Sequence, residues 1–376
     1  MGKQVAEIAV VGGGIMGSAI AWQLAQAGLR PVVFEQYTSG HQMGSSHGAS
    51  RVIRTAYFEH PTYVPMVQHA FQQWERLQQE TGQLLLTHSP CINIGQSDGA
   101  LVAGVMASAK QHQLAIEQLA APDLMQRFPQ FHIPDDFCGV LEHRAGILHV
   151  ENCLNVLQAK ATQAGATFVE NAVLKQILPT DNGFELHFQD GSTCISPQLV
   201  VCAGAWLRGL MRQLGSSLPL TVMRQTMHWF LDFPLGNYQP DQFPIFLVDS
   251  PQGIYYGMPM IDELGVKVAQ HYGAPELLAP PDDRHGMPDD ASTTINFLQQ
   301  WLPGISGKPH LSKVCLYTLT PDRHFLIDHH PDWPNLIVAG GFSGHGFKFA
   351  PTIGKMVLEM VQHRSPTWDR DLFCWR

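Results

Sequence analysis

The chain has 376 residues, 45% hydrophobic and 15% charged, with a formal net charge of −9. The length suits two domains with sizeable cores, and the acidic balance argues against nucleic acid or an anionic membrane as the main partner. Seven cysteines without a C-x-x-C pair fit a reducing compartment, and no apolar run is long enough for a membrane span.

The N-terminus runs straight into an apolar stretch, which leaves no room for a cleavable signal and makes the cytoplasm the expected location. Ile8-Ala9-Val10-Val11 reads as a buried strand. Gly12, Gly14 and Gly17 follow in the order G-x-G-x-x-G, then Ser18–Gln26 as a helix closed by Gly28, then Val32-Val33-Phe34 as a second strand ending at Glu35. Gly12 permits the tight turn, Gly14 admits a pyrophosphate to the helix N-terminus, and Gly17 packs the helix on the strand. Glu35 can accept from the ribose hydroxyls. This is a dinucleotide site, and the stretch alone does not choose between NAD and FAD.

Residues 37–49 read as a loop, followed by Arg51-Val52-Ile53-Arg54 and a helix over 63–81 with Val64, Val67, Phe71, Trp74 and Leu77 on one face. Strands are expected around Pro90, a helix over 101–113, a short helix over 122–131, a strand over 140–150 around Gly146, and a helix over 152–163. Short alternating strands follow at 167–169, 173–177, 184–188 and 193–195. Leu199–Gly204 is a second buried strand ending in glycine, so the nucleotide domain resumes there. Strands at 223–231, 245–248, 254–258 and 265–271 make another sheet, followed by a helix over 292–302 and a strand at 313–318. Leu336–Ala339 is a third buried strand, and a helix over 353–363 closes the chain. The expected fold is mixed α/β: a Rossmann-type dinucleotide-binding domain, discontinuous in sequence, with an antiparallel-sheet substrate domain threaded through it. Residues 1–83, 147–222 and 318–376 fall to the first, and 84–146 and 223–317 to the second. The nineteen histidines show no H-x-x-x-H or H-E-x-x-H spacing, so no metal is expected.

Three further features bear on chemistry. In Gly265–His271, Lys267 and His271 share one strand face with Gly265 and Ala269, while Val266 and Val268 take the other. That face is either solvated or turned to a cavity, where desolvation would lower the lysine pKa. Gly340–Gly346 holds four glycines in seven positions, a backbone brought close to something planar or charged, and Lys348 beyond it could pair with a carboxylate. Arg51 and Arg54 are either surface arginines or a bidentate clamp for a small carboxylate. Cys315 by itself reads as a buried, inert core cysteine.

Over essentially its whole length the chain resembles the monomeric sarcosine oxidase / N-methyltryptophan oxidase family of flavoproteins. The most specific matches are Lys313-Val314-Cys315-Leu316-Tyr317-Thr318 with Thr320–Asp328, Gly341–Phe349, and Gly44–Arg54 with Ala56-Tyr57. Tyr256-Gly257-Met258-Pro259 and Gly265–His271 match in order and spacing. The resemblance implies FAD, attached through an 8α-thioether at Cys315, with contacts from Gly12, Gly14, Ile15, Met16, Gly17, Glu35, Ser45, Ser50, Val173, Ala203, Gly204, Trp206, Gly341, Phe342, Gly344, Gly346 and Lys348. It implies that Arg54 and Lys348 hold the substrate carboxylate, with Tyr317 and Gly344 beside them. Lys267 would lie over the flavin and promote reaction with O₂, Arg51 would sit near the flavin, and Tyr256 and His271 would line the cavity. The implied reaction oxidises an N-methyl amino acid to an imine that hydrolyses to amino acid and formaldehyde, O₂ becoming H₂O₂, in a monomer. A cyclic imino acid substrate and a non-catalytic flavin-binding role are the alternatives. Where the family motif reads His-His-Gly-Asp-Thr-Arg, Ser46, Ala49 and Ser50 replace the first His, the Asp and the Thr. Thr55 and Phe58 replace the His and Gly usual after Arg54. An aspartate lost beside Arg51 leaves that guanidinium with different partners.

Overall fold

The computed structural model describes residues 3–234, 237–286 and 288–375, so the outermost residues of the expected first and last segments lie outside it. Its centre is a six-stranded sheet in the order Thr167–Val169, Pro31–Phe34, Ile8–Val11, Gln198–Val201, Leu336–Gly340 and Leu326–His329. The first five strands run parallel and the last antiparallel. Ile8–Val11 and Gln198–Val201 are buried or nearly so along their length, which is why they read as apolar runs without alternation.

The helix Ile15–Gln26 packs between Ala350–Val361 and Val150–Gln163 and is buried almost all round. It starts three residues earlier than its sequence pattern suggests, because Gly14 takes the N-cap position in extended backbone. A Cβ on Gly17 would stand 1.8 Å from the Gly12 carbonyl oxygen, so only glycine allows the first helical turn to close on the loop before it.

A nine-stranded sheet forms the second body, in the order Glu276–Leu277, Thr221–Phe230, Val266–Gln270, Gly253–Met258, Ile245–Ser250, Cys91–Gln96, Phe137–Glu142 and Ile116–Ala120, with Leu311–Leu319 also paired to Thr221–Phe230. It is antiparallel except where Ile245–Ser250 runs parallel to Cys91–Gln96. A three-stranded sheet, Ser50–Arg54, Ala145–His149 and Leu86–His88, and a four-stranded one flank these.

The stretch expected as one strand over 140–150 is two, Phe137–Glu142 and Ala145–His149, which turn at His143-Arg144 and serve different sheets. The helix Leu207–Gln213 and the strands Lys3–Val5, Ile116–Ala120 and Leu326–His329 are additions to the sequence reading. Among the described residues no helix is long and apolar enough to cross a membrane.

Candidate active site

A cleft of about 430 Å³ opens at the C-terminal ends of the parallel strands, where an open α/β sheet binds ligands. Gly12, Gly14, Ile15 and Met16 line it from the first turn, Glu35 and Ser45 from the next, Ala203, Gly204 and Trp206 after the strand Gln198–Val201, and Phe342, Gly344 and Gly346 after Leu336–Gly340. Glu35 shapes the loop it faces: Gly13 N–H donates to its Oε2 at 2.7 Å and Tyr37 N–H to its Oε1 at 3.0 Å. Burial raises its pKa, but His41 and these two amides outweigh that and hold the carboxyl below its ordinary value. His41, 3.4 Å from Glu35, is a cleft residue the loop's lack of pattern concealed.

Ser46, one of the departures from the family motif, has a defined job. Its Oγ accepts the Ile15 N–H at 2.9 Å and so caps the helix at which a pyrophosphate would lie. The cleft's size, its backbone-lined turn, the glycine-only contact at Gly17 and the carboxylate at Glu35 fit the adenosine-diphosphate end of a dinucleotide.

At the other end the cleft meets a smaller cavity of about 70 Å³, and the two share Arg51, Cys315, Tyr317, Gly344 and Phe347. Cys315 is 3% exposed. Arg51 Nη2 lies 3.6 Å from its sulfur and also donates to the carbonyls of Ser45 and His47 at 3.0 and 2.8 Å. Arg51 Nη1 donates to the Ser50 carbonyl at 2.8 Å, and Met227 Sδ lies 3.7 Å away. With Ala49 in place of aspartate, the guanidinium is held by carbonyls and sulfurs. Gly344 is in left-handed backbone at φ 81°, and a Cβ there would stand 2.4 Å from the Tyr317 ring. The glycine cluster therefore serves close approach, as its density suggests.

The smaller cavity holds Arg54, Tyr256, His271, Tyr317 and Lys348 together, as expected, and adds Glu59 and His345. Arg54 Nη2 donates to both oxygens of Glu59, at 3.1 and 2.9 Å, and Nη1 to the Ala56 carbonyl at 3.0 Å. Burial raises the Glu59 pKa, but Arg54, His345 and Lys348 more than reverse it and bring it to about 2. Burial lowers and Glu59 raises the Arg54 pKa, with a net rise. Burial takes His271 down to about 3, leaving the ring neutral. Burial and the nearby Arg54 bring Lys348 down to about 7. Below the strand, Glu142 Oε2 accepts from Thr55 N–H, Ala56 N–H and Thr55 Oγ1 at 2.7, 2.8 and 3.0 Å and so fixes the turn after Arg54. Glu59, one turn of chain beyond Arg54, carries no pattern of its own. Glu142 lies inside the stretch read as a single strand.

Several expected site residues fall elsewhere. Lys267 lines neither cavity: it is 1% exposed, and its Nζ donates to the Gly48 and Ser50 carbonyls at 3.0 and 2.8 Å, with the Trp229 ring centroid 4.9 Å away. The solvated strand face is excluded, since Val266–Val268 and Ala269 are buried and both faces of the strand meet core. Burial, then Arg51, puts the Lys267 pKa well below the ordinary lysine value. Ser50 faces Lys267 and Arg51 rather than the cleft. Val173, just before the strand Leu174–Thr180, is 37% exposed, and its neighbours Ala172 and Leu174 line the cleft instead. Gly341 packs against Thr320 and Leu220, Gly17 against the turn, and Lys348 lines the small cavity but not the cleft.

The fold and this pair of joined cavities fit an enzyme that binds a dinucleotide beside a small substrate. The family model described as DAO, FAD dependent oxidoreductase, matches residues 7–360. Monomeric sarcosine oxidase from Bacillus sp. (strain B-0618) is 32% identical over 371 residues, covering 98% of this chain and 95% of that protein. N-methyl-L-tryptophan oxidase from Salmonella agona is 34% identical over 369 residues, covering 96% of each. Among solved structures, NikD, an amino acid oxidase, superposes with a TM-score of 0.86 at 23% identity over 99% of this chain and 97% of that one. L-Proline dehydrogenase from P. horikoshii gives 0.82 at 19% over 96% and 95%. These two likenesses speak for the fold. The chain belongs to the FAD-dependent oxidoreductases, and within them to the monomeric sarcosine oxidase / N-methyl-L-tryptophan oxidase family.

Proposed function

We propose that this FAD-dependent amino acid oxidase acts on small N-methyl amino acids, N-methylglycine before N-methyltryptophan, and carries its FAD covalently at Cys315. The observation that carries the reading is the junction of the two cavities: Arg51, Cys315, Tyr317, Gly344 and Phe347 belong to both, while Arg54 and Lys348 line the smaller one alone. A carboxylate held between Arg54 and Lys348 would present its α-nitrogen and N-methyl carbon toward the shared end.

Bound FAD supplies hydride acceptance and, once reduced, reaction with O₂. Gly12, Gly14 and Glu35 would hold its nucleotide end, and Cys315 would anchor the ring end. Arg54 and Lys348 bind and orient the substrate. The Tyr256, Tyr317 and His271 rings exclude water around the reacting carbon, and burial keeps the His271 ring neutral. Lys267 holds the Gly48 and Ser50 carbonyls, the second of which also accepts from Arg51; a donor fixed in this position would favour the negative charge that develops on O₂.

The volume supports a short side chain. The cavity, about 70 Å³ against about 430 Å³ for the adjoining cleft, favours a small amino acid. We assign residues 1–83, 147–222 and 318–376 to the FAD-binding domain and 84–146 and 223–317 to the substrate domain, and place the protein in the cytoplasm as a monomer, where seven unpaired cysteines are at home.

The test is peroxide release from N-methylglycine, N-methyltryptophan, proline and pipecolate. Turnover greatest with N-methylglycine supports the reading. Turnover confined to the cyclic substrates identifies a cyclic imino acid oxidase, and no peroxide from any of them marks a flavin-binding protein without this activity.

A further inference from the structure

We propose that Tyr57 and His345 are the positioning residues of Lys348: a hydrogen-bond chain of fixed direction, from Lys348 to Tyr57 to His345, sets the ammonium for the substrate's carboxylate. The inference rests on the reading of Lys348 as a carboxylate partner.

The direction follows from the outer end. His345 Nε2 lies 3.0 Å from the Arg323 carbonyl oxygen, which can only accept, so Nε2 carries the hydrogen and Nδ1 keeps its lone pair. Burial brings the His345 pKa to about 4, which agrees with a neutral ring. Tyr57 Oη is 2.9 Å from Nδ1, so the tyrosine hydrogen goes to the histidine. The tyrosine oxygen then accepts from Lys348 Nζ at 3.2 Å. Lys348 also donates to the His345 carbonyl at 2.9 Å. An ammonium has three donors. Two are fixed in this way, and the third is the one available to a ligand in the cavity that Lys348 lines.

The anchor of the chain is itself held. Arg323 sits in left-handed backbone at φ 64°, unusual for a residue with a side chain. Its Nη2 donates to Glu276 Oε1 at 2.6 Å, its guanidinium lies 5.7 Å from the Tyr272 ring centroid, and Tyr272 Oη donates to the Ser343 carbonyl at 2.8 Å. Tyr57, His345 and Lys348 are all buried. The titratable and charged groups facing Lys348 are Arg51 and Arg54 from the strand Ser50–Arg54, Tyr57 and Glu59 from the loop after it, Cys91 from Cys91–Gln96, His271, and His345 from its own loop.

The experiment is a titration of the holoenzyme with propionate, read from the visible flavin band across pH. Loss of an acceptor on a charged donor weakens binding about tenfold. Tyr57→Phe should show that loss and move the alkaline limit of binding to lower pH, because the ammonium has lost an acceptor. His345→Asn should bind within about twofold of the parent, since its Oδ1 replaces Nδ1 as acceptor, whereas His345→Leu should match Tyr57→Phe. Equal behaviour of the Asn and Leu variants, or an unmoved alkaline limit in Tyr57→Phe, overturns the proposal; if Tyr57→Phe does not fold, the histidine pair decides. Lys348→Met must itself weaken propionate binding. If it does not, the carboxylate role of Lys348 falls and the proposal with it. If it does while the other variants bind normally, only the proposal falls.

Discussion

Arg51 Nη2 lies 3.6 Å from Cys315 Sγ, and both side chains border the cofactor cleft and the substrate cavity. That relationship gives Cys315 a role that its apolar strand context hides.

Replacing Cys315 by alanine should separate binding from attachment. The native variant should still be yellow, because the cleft and Glu35 remain. After acid precipitation the parent should give a coloured pellet, whereas Cys315→Ala should release all of its flavin to the supernatant. Arg51→Met should retain flavin but attach it more slowly, measured as the covalent fraction over time in apoprotein given FAD.

Glu59 occupies the guanidinium that a substrate carboxylate would need. Glu59→Ala leaves Arg54 buried without its partner, a loss of about 3–5 kcal/mol. Propionate should offset part of that loss by taking the vacated place. In thermal melts, saturating propionate should therefore raise the midpoint of Glu59→Ala more than that of the parent. Equal shifts would show that Arg54 does not receive the carboxylate.

The same residue sets an acid limit. Its folded pKa of about 2 lies below the ordinary value of 4.5. The stabilisation is present above 4.5 and is lost as pH falls toward 2. Unfolding free energies measured through this window should fall in the parent and fall less in Glu59→Ala.

Lys267→Met probes the O₂ step. With this buried donor removed, reoxidation of the reduced enzyme should slow by about 10²–10³-fold, the scale for loss of one preorganised donor, with anaerobic reduction by substrate changed far less. Stopped-flow measurement of the two half-reactions checks this. Equal slowing of both would mean that Lys267 serves only to hold the Gly48–Ser50 loop.

Much of the fold was legible because its central strands are buried on both sides and leave continuous apolar runs, as in Ile8–Val11 and Leu336–Gly340. The helix Tyr63–Thr81 shows its period because one face meets solvent. Leu326–His329 was not legible: at four residues, between a turn and a His-His-Pro stretch, it has no room to display alternation. For the site, Arg54 and Lys348 came through the resemblance, and the structure brings both to the smaller cavity. Residues whose importance comes from a partner distant in sequence could not be found from motif spacing. Lys267 reads as either a solvated or a cavity cation until the Gly48 and Ser50 carbonyls, over two hundred residues away, are seen to hold it. Glu59 is visible as a site residue only once Arg54 turns toward it.

The most direct measurement of the central claim is anaerobic mixing of the purified enzyme with N-methylglycine, followed by admission of O₂. The account predicts that the visible flavin band bleaches on mixing, returns with O₂, and leaves one formaldehyde and one peroxide per turnover. Flavin that stays oxidised with N-methylglycine, or that is reduced only by proline or pipecolate, would contradict it.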